Sequence, residues 1–183
     1  MAKTAKNIVL HALSGKLGDQ LVIRQRSGYT IVAQAPGERQ GEPTAAQLQQ
    51  QSKFQQAVIY GKTEMTDPVE KAAYQEKATG MKSAFNVAVA DFFHAPNVDE
   101  IDLTAYNGAV GDTIRVRATD DFKVVQVHVA INNGDGSLVE QGDAVQQTNE
   151  IDWLYTATAK NSSLEGDKIV VRVSDKPGNI TEQ

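Results

Sequence analysis

Residues 111–131, GDTIRVRATDDFKVVQVHVAI, set the architecture. Ile114, Val116 and Ala118 share one side of an alternating run, and Val125, Val127, Val129 and Ile131 repeat the pattern after the break Thr119-Asp120-Asp121. A period of two predicts half-buried strands. Lys123, Gln126 and His128 fall on or near the wet side of the second run. Only one face therefore seeks a core, and an antiparallel sheet packed on one side is expected.

The flanking sequence extends this reading. Further short β-branched runs occupy residues 98–104, 137–140, 151–158 and 168–174. Turn residues separate them at Asn107-Gly108, Asn133-Gly134-Asp135-Gly136, Gly142-Asp143 and Pro177-Gly178. Six or seven strands at this spacing read as a β-sandwich. Trp153, Tyr155 and Ala157 alternate with Leu154 and Thr156, which makes Trp153 the large anchor expected between the sheets.

Before residue 97 the punctuation is different. Thr44 and Gln47 form a capping-box pattern ahead of a helix over 45–60, with Phe54, Ala57, Val58 and Gly61 at helical spacing. The first half of that helix, QLQQQSKFQQ, is rich in glutamine and is read as a solvated face or a polar interface. Asp67-Pro68-Val69-Glu70 starts a second helix, expected to present Val69, Ala72 and Ala73 and to end near Gly80. A third, over 81–94, carries Met81, Phe85, Ala88 and Phe92 on one stripe with Val89 beside it, and Ala95-Pro96 stops it. Upstream, NIVLHAL, LVIRQR and YTIVAQA predict a β-hairpin or three-stranded meander, linked by SGKLGDQ and the turn Ser27-Gly28. Such a small sheet is marginal alone and must lean on helices or on another subunit.

Composition excludes several classes. The chain has 183 residues, 40% hydrophobic and 22% charged, ordinary for a globular protein. No apolar run approaches a membrane span, and the start lacks a signal-peptide core, which points to cytoplasmic synthesis with release by lysis or a leaderless route. Zero cysteines remove disulfide scaffolds, thiolate zinc sites and thiol catalysis. The formal charge of −5 is unevenly placed: residues 1–96 hold 11 Lys/Arg against 8 Asp/Glu, and residues 97–183 hold 7 against 15. A basic start and an acidic end suit either an anionic partner or head-to-tail attraction between copies.

Two resemblances add to this. AYNGAVGDTIRVRATDDFKVVQVHVAI, then GSLVEQG, DWLYTAT and the closing VRVSDKPGN, resemble bacterial immunoglobulin-like modules that end in a D-x-x-G-N turn, here Asp175, Gly178 and Asn179. The likeness covers about residues 98–180 and implies a non-catalytic spacer, adhesion or assembly domain. The first part is similar to short uncharacterised bacterial proteins with G-K-x-G-D, a basic strand and a P-T-x-x-Q-x-x-x-x-x-x-F-x-x-A helix in order. Gly15, Lys16, Gly18 and Asp19, then Pro43, Thr44, Gln47, Phe54 and Ala57, carry that likeness. It implies no site residues.

Candidate chemistry is sparse. Ser14-Gly15-Lys16-Leu17-Gly18 lacks the spacing and following helix of a phosphate loop. Asn132, Asn133, Asp135 and Ser137 read as a hairpin turn because the EF-hand register fails. Asp120, Asp121 and Asp175 are the acids that could converge at one pole of the sandwich and hold calcium. His11, His94 and His128 have no spacing that gathers them, and no nucleophile-elbow motif is present. Arg24, Arg26 and Tyr29 are the nucleic-acid candidates, basic and aromatic on adjacent strands. With Lys16 they form the expected interface or anion contact.

The expectation is an α+β chain in two parts. Residues 1–96 form a β-hairpin or meander plus three helices, and residues 97–183 an all-β immunoglobulin-like sandwich. Its expected function is that of a non-enzymatic structural or adaptor subunit of a larger assembly, concretely a phage virion or a contractile, tail-like particle. The partners are other copies or other subunits, with no cofactor and no membrane span. The alternative is a carbohydrate or cell-surface binding module using Trp153 or the sandwich-end loops. A third reading, an enzyme, requires histidines or acids to converge unexpectedly.

Overall fold

The structure, a computed structural model, describes residues 2–4, 10, 13–26, 28–37 and 41–183. The strand expected over 7–13, with His11, and the Ser27 half of the turn lie mainly outside the described residues. The fold is α+β with mostly β content: among the described residues, twelve strands form three antiparallel sheets, and three helices lie in the chain between the first sheet and the other two.

The first sheet joins β1 (Ala2–Thr4), β2 (Gly15–Leu17), β3 (Leu21–Arg26) and β4 (Tyr29–Gln34) in the order β1-β4-β3-β2. The stretch SGKLGDQ is thus more than a link. It contributes β2, and the chain turns back into β3 at Gly18, whose φ of 57° lies in the region glycine adopts without penalty. Ile23, Thr30, Ile31 and Ala35 are buried.

Three helices follow, α1 (Ala45–Glu64), α2 (Pro68–Lys77) and α3 (Ala84–Asp91). The caps act as the sequence predicts. Gln47 N donates to Thr44 Oγ1 at 3.3 Å and Thr44 N donates to Gln47 Oε1 at 3.0 Å. Val69 N donates to Asp67 Oδ1 at 2.8 Å, with Pro68 in the first turn. Helix faces differ in part from expectation. In α2, Val69 is 75% exposed and Ala72 is exposed, while Tyr74 is fully buried. Tyr74 wins that position because it stacks on Phe122, in the turn over residues 120–123, ring centroids 3.7 Å apart and planes 15° from parallel. In α1, Ala57 and Gly61 are buried against α3, but Phe54 stays 53% exposed with its ring stacked on Phe93.

The remaining strands are β5 (Asn97–Asp102), β6 (Thr113–Thr119), β7 (Val124–Asn132), β8 (Leu138–Asp143), β9 (Val145–Gln146), β10 (Asp152–Thr156), β11 (Lys168–Asp175) and β12 (Ile180–Glu182). They form two sheets, ordered β5-β6-β10-β9 and β12-β11-β7-β8. The sheets share one core, with Ile114, Val116 and Trp153 from the first meeting Val127, Val129 and Val171 from the second. One expected position is wrong. Val125 is 45% exposed and Val124 is buried, because the ladder pairs Gln126 with Ser174 but Val124 with Asp175. Val125 is the extra residue of a bulge, and the alternation reverses there. The Asn133 to Ser137 segment is the β7–β8 turn: Ser137 N and Oγ donate to Asp135 Oδ1 at 2.9 and 2.6 Å.

Candidate functional site

The register of the first sheet gathers the basic candidates. Lys16 pairs with Val22, Arg24 with Ile31 and Arg26 with Tyr29. Directly opposed residues share a face, and so do alternate residues along a strand. Lys16, Arg24, Arg26 and Tyr29 therefore all lie on one face, with Val22, Ile31 and Ala33 between them. Their charges are not equally available. Lys16 Nζ is 2.7 Å from Asp19 Oδ1, and Arg26 Nη2 donates to the Met81 carbonyl at 2.8 Å. Arg24 is exposed and has no ion-pair partner among the described residues. Tyr29 is 43% exposed. Arg26 to Met81 is the one side-chain hydrogen bond that, among the described residues, joins this sheet to the rest of the chain.

A second polar cluster lies where the helices meet the sheet pair, and it draws residues from every neighbouring element. Asp91, 1% exposed at the end of α3, accepts a 2.8 Å hydrogen bond from Tyr74 Oη at Oδ2. The Tyr74 and Tyr60 hydroxyls are 2.7 Å apart. Asp91 Oδ1 is buried with no hydrogen-bond partner, as is Asp120 Oδ1. Asp175, 2% exposed, accepts from Gly178 N at 2.8 Å, Asn179 N at 2.6 Å and Asn179 Nδ2 at 2.7 Å. Asn179 Nδ2 also donates to the His94 carbonyl at 3.0 Å. The D-x-x-G-N turn thus clasps the end of α3. Lys176, within the same turn, pairs with Glu64 of α1 at 2.8 Å and with Glu70 of α2.

Electrostatics follow from this burial. Desolvation pushes the Asp91 carboxyl up to about 7 against the lowering effect of the Tyr74 hydrogen bond, and the charges of Asp120, Asp175 and Asp121 push it further. Asp175 is raised too, first by burial, although three donors face it. Burial raises both the Tyr60 and Tyr74 hydroxyls, keeping them neutral donors.

Asp120, Asp121 and Asp175 do converge electrostatically on Asp91. Most of their oxygens face protein donors, however, Asp120 Oδ1 excepted. Asp120 Oδ2 accepts from Phe122 N and Lys123 N at 3.3 and 3.0 Å, Asp121 pairs with His94, and Asp175 is held by its own turn. Among the described residues no group of three or more His, Asp or Glu is placed to hold a metal ion. His94 and His128 stay apart, each on its own carboxylate: Asp121 for the first, Asp143 for the second at 2.7 Å. Trp153 is 6% exposed between the sheets, so it cannot be a surface platform for sugar. A groove of about 360 Å³ between α2 and the sheet pair is lined by mixed charges, Glu76, Lys77, Lys123 and Glu150, together with Phe122.

The sequence reading named Asp175, Gly178 and Asn179 as a turn but missed Tyr74, Asp91 and Lys176. A signal for Asp91 was present: Ala84, Ala88 and Asp91 fall on one helical stripe, an acid on an otherwise apolar face.

Among the described residues no helix is long and apolar enough to cross a membrane. No family model and no curated protein matches the sequence. A solved structure similar to part of the chain is that of CopC from Methylosinus trichosporium OB3b, 18% identical, covering 49% of this chain and 87% of CopC, with a TM-score of 0.36. Likeness at that level carries no inference about this chain.

Proposed function

We propose that the chain is a non-enzymatic structural or adaptor subunit that assembles with copies of itself, in a phage virion or a contractile, tail-like particle. The observation that carries this reading is exposed apolar surface: among the described residues Leu17 and Ile59 are 65% exposed, and Leu48 and Phe54 are 53% exposed, surface that a contact with a neighbour would cover. The first half of α1 is exposed throughout, and among the described residues the first sheet is joined to the rest by a single side-chain hydrogen bond. These are the parts that gain most from a neighbour.

Within this reading the two sheets of residues 97–183 are an immunoglobulin-like module. The orders β5-β6-β10-β9 and β12-β11-β7-β8 support it, since they run as strands A-B-E-D and G-F-C-C′ of that fold. Charge then suggests the mode of contact. The face carrying Lys16, Arg24, Arg26 and Tyr29 meets the acidic second half of another copy, head to tail. A head-to-tail contact adds copies without self-limiting pairing, as rings and tubes require.

The experiment is sedimentation of the wild type beside a Lys16→Glu, Arg24→Glu double variant at low salt. Both positions are exposed, so the variant keeps its circular-dichroism spectrum. The wild type should sediment as a large species and the double variant as a monomer. An unchanged oligomer in the double variant would remove the basic face from the contact, and a monomeric wild type at high concentration would remove the assembly.

A further inference from the structure

We propose that Asp91 is a proton-operated latch that docks the three helices onto the paired sheets when protonated and lets them part when ionised. The inference is independent of the assembly reading. It rests first on placement. Asp91 is all but inaccessible, with one oxygen held by Tyr74 and the other buried without a partner. An ionised carboxylate in that position needs donors or a cation, and the surroundings offer few.

The groups facing Asp91 come from every element packed at the junction. Tyr60 and Glu64 come from α1, and Tyr74 from α2. The β6–β7 turn supplies Asp120 and Asp121, and the β11–β12 turn supplies Asp175. The neighbouring cations are already engaged, Lys176 by Glu64 and Glu70, and His94 by Asp121. Asp120 presents a second buried oxygen without a partner. The balance around Asp91 is negative, and a proton on its carboxyl relieves it most directly. The titration direction agrees: burial and the three aspartates push Asp91 to about 7.

The consequence has a definite sign. In the undocked chain the carboxyl titrates at its ordinary value of about 3.9. Between that value and about 7 the docked state holds a proton that the undocked state has released. Docking is therefore firmest in acid, weakens as pH rises through this window, and levels off above it. With these limits, the undocking equilibrium rises roughly fivefold to tenfold per pH unit between about pH 5 and 7.

The test is hydrogen exchange at pH 5, 6, 7 and 8, corrected for intrinsic amide rates, read on peptides from residues 57–91 and 113–132. The wild type should show protection in 57–91 falling severalfold per unit to about pH 7, with 113–132 steady. Asp91→Asn should remove at least half of that fall, Asp175 accounting for any remainder. Asp120→Asn keeps the acceptor for the turn amides while removing a facing charge, and should move the midpoint to lower pH. His94→Gln, a control at the neighbouring pair with Asp121, should leave the fall in place. A flat wild-type profile, equal change in both segments, or a fall that persists in Asp91→Asn and vanishes in His94→Gln would overturn the latch. Should Asp91→Asn fail to fold, an unmoved midpoint in Asp120→Asn overturns it alone.

Discussion

At the scale of single residues, the junction is organised by Tyr74. Its ring stacks on Phe122 and its hydroxyl supplies the hydrogen bond that Asp91 receives. Tyr74→Phe keeps the stacking and deletes the donor. Removing one partner of a buried hydrogen bond costs about 1–3 kcal/mol, and the loss here should appear as a lower urea midpoint with an unchanged m-value. Because the Tyr74 bond lowers the Asp91 titration, its removal pushes that carboxyl further up. The destabilisation should be larger at pH 8 than at pH 5, and equal loss at both would detach Tyr74 from the charge of Asp91. Val125 carries the opposite lesson. Its alternation places it inward, and only the pairing of Asp175 with Val124 turns it out. A bulge is a property of two strands, so the pattern of one strand cannot announce it.

At the scale of elements, α1 and α3 approach closely at Gly61. A Cβ added at Gly61 would lie 2.9 Å from Val89 Cγ2 and 3.1 Å from Phe85 Cε2. Gly61→Ala gains about 1 kcal/mol in helix propensity but forces these side chains apart at about 1–3 kcal/mol. The balance should be a net loss in thermal stability, and a raised Tm would show that the α1–α3 contact has slack. The starts of α1 and α2 were legible because caps are local: Thr44 with Gln47, and Asp67 with Pro68, act within one turn, whereas the third helix, read over 81–94, starts at Ala84 on the Ser83 cap and ends at Asp91. The inward faces of β6 and β10 were legible for the same reason, through Ile114, Val116, Trp153 and Tyr155. The face of α2 was not, because Tyr74 is held by a ring from a distant turn. The junction was the least legible part. Asp91, Asp120, Asp175 and Lys176 meet only once the helices rest on the sheets. The members of the basic face, Lys16 with Arg24, Arg26 and Tyr29, were legible, but the register that sets all four on one side of the sheet was not, because it depends on the β2–β3 and β3–β4 pairings.

At the scale of the molecule, charge and surface point the same way. The halves differ in sign, Lys/Arg exceeding Asp/Glu in residues 1–96 and the reverse in 97–183, and large apolar side chains such as Leu17, Leu48, Phe54 and Ile59 stand exposed. Contacts between opposed charges at a surface weaken within a Debye length of about 8 Å at physiological salt and about 3 Å at 1 M. An assembly held this way must respond to salt, and one held by the apolar groups alone, such as Leu17, Leu21 and Tyr29, should strengthen in it. Light scattering of the purified protein at low and at high salt separates these cases. The account predicts a mass many times that of the single chain at low salt, falling toward 19.8 kDa as salt rises. A mass of one chain at both salts, at high protein concentration, would contradict it.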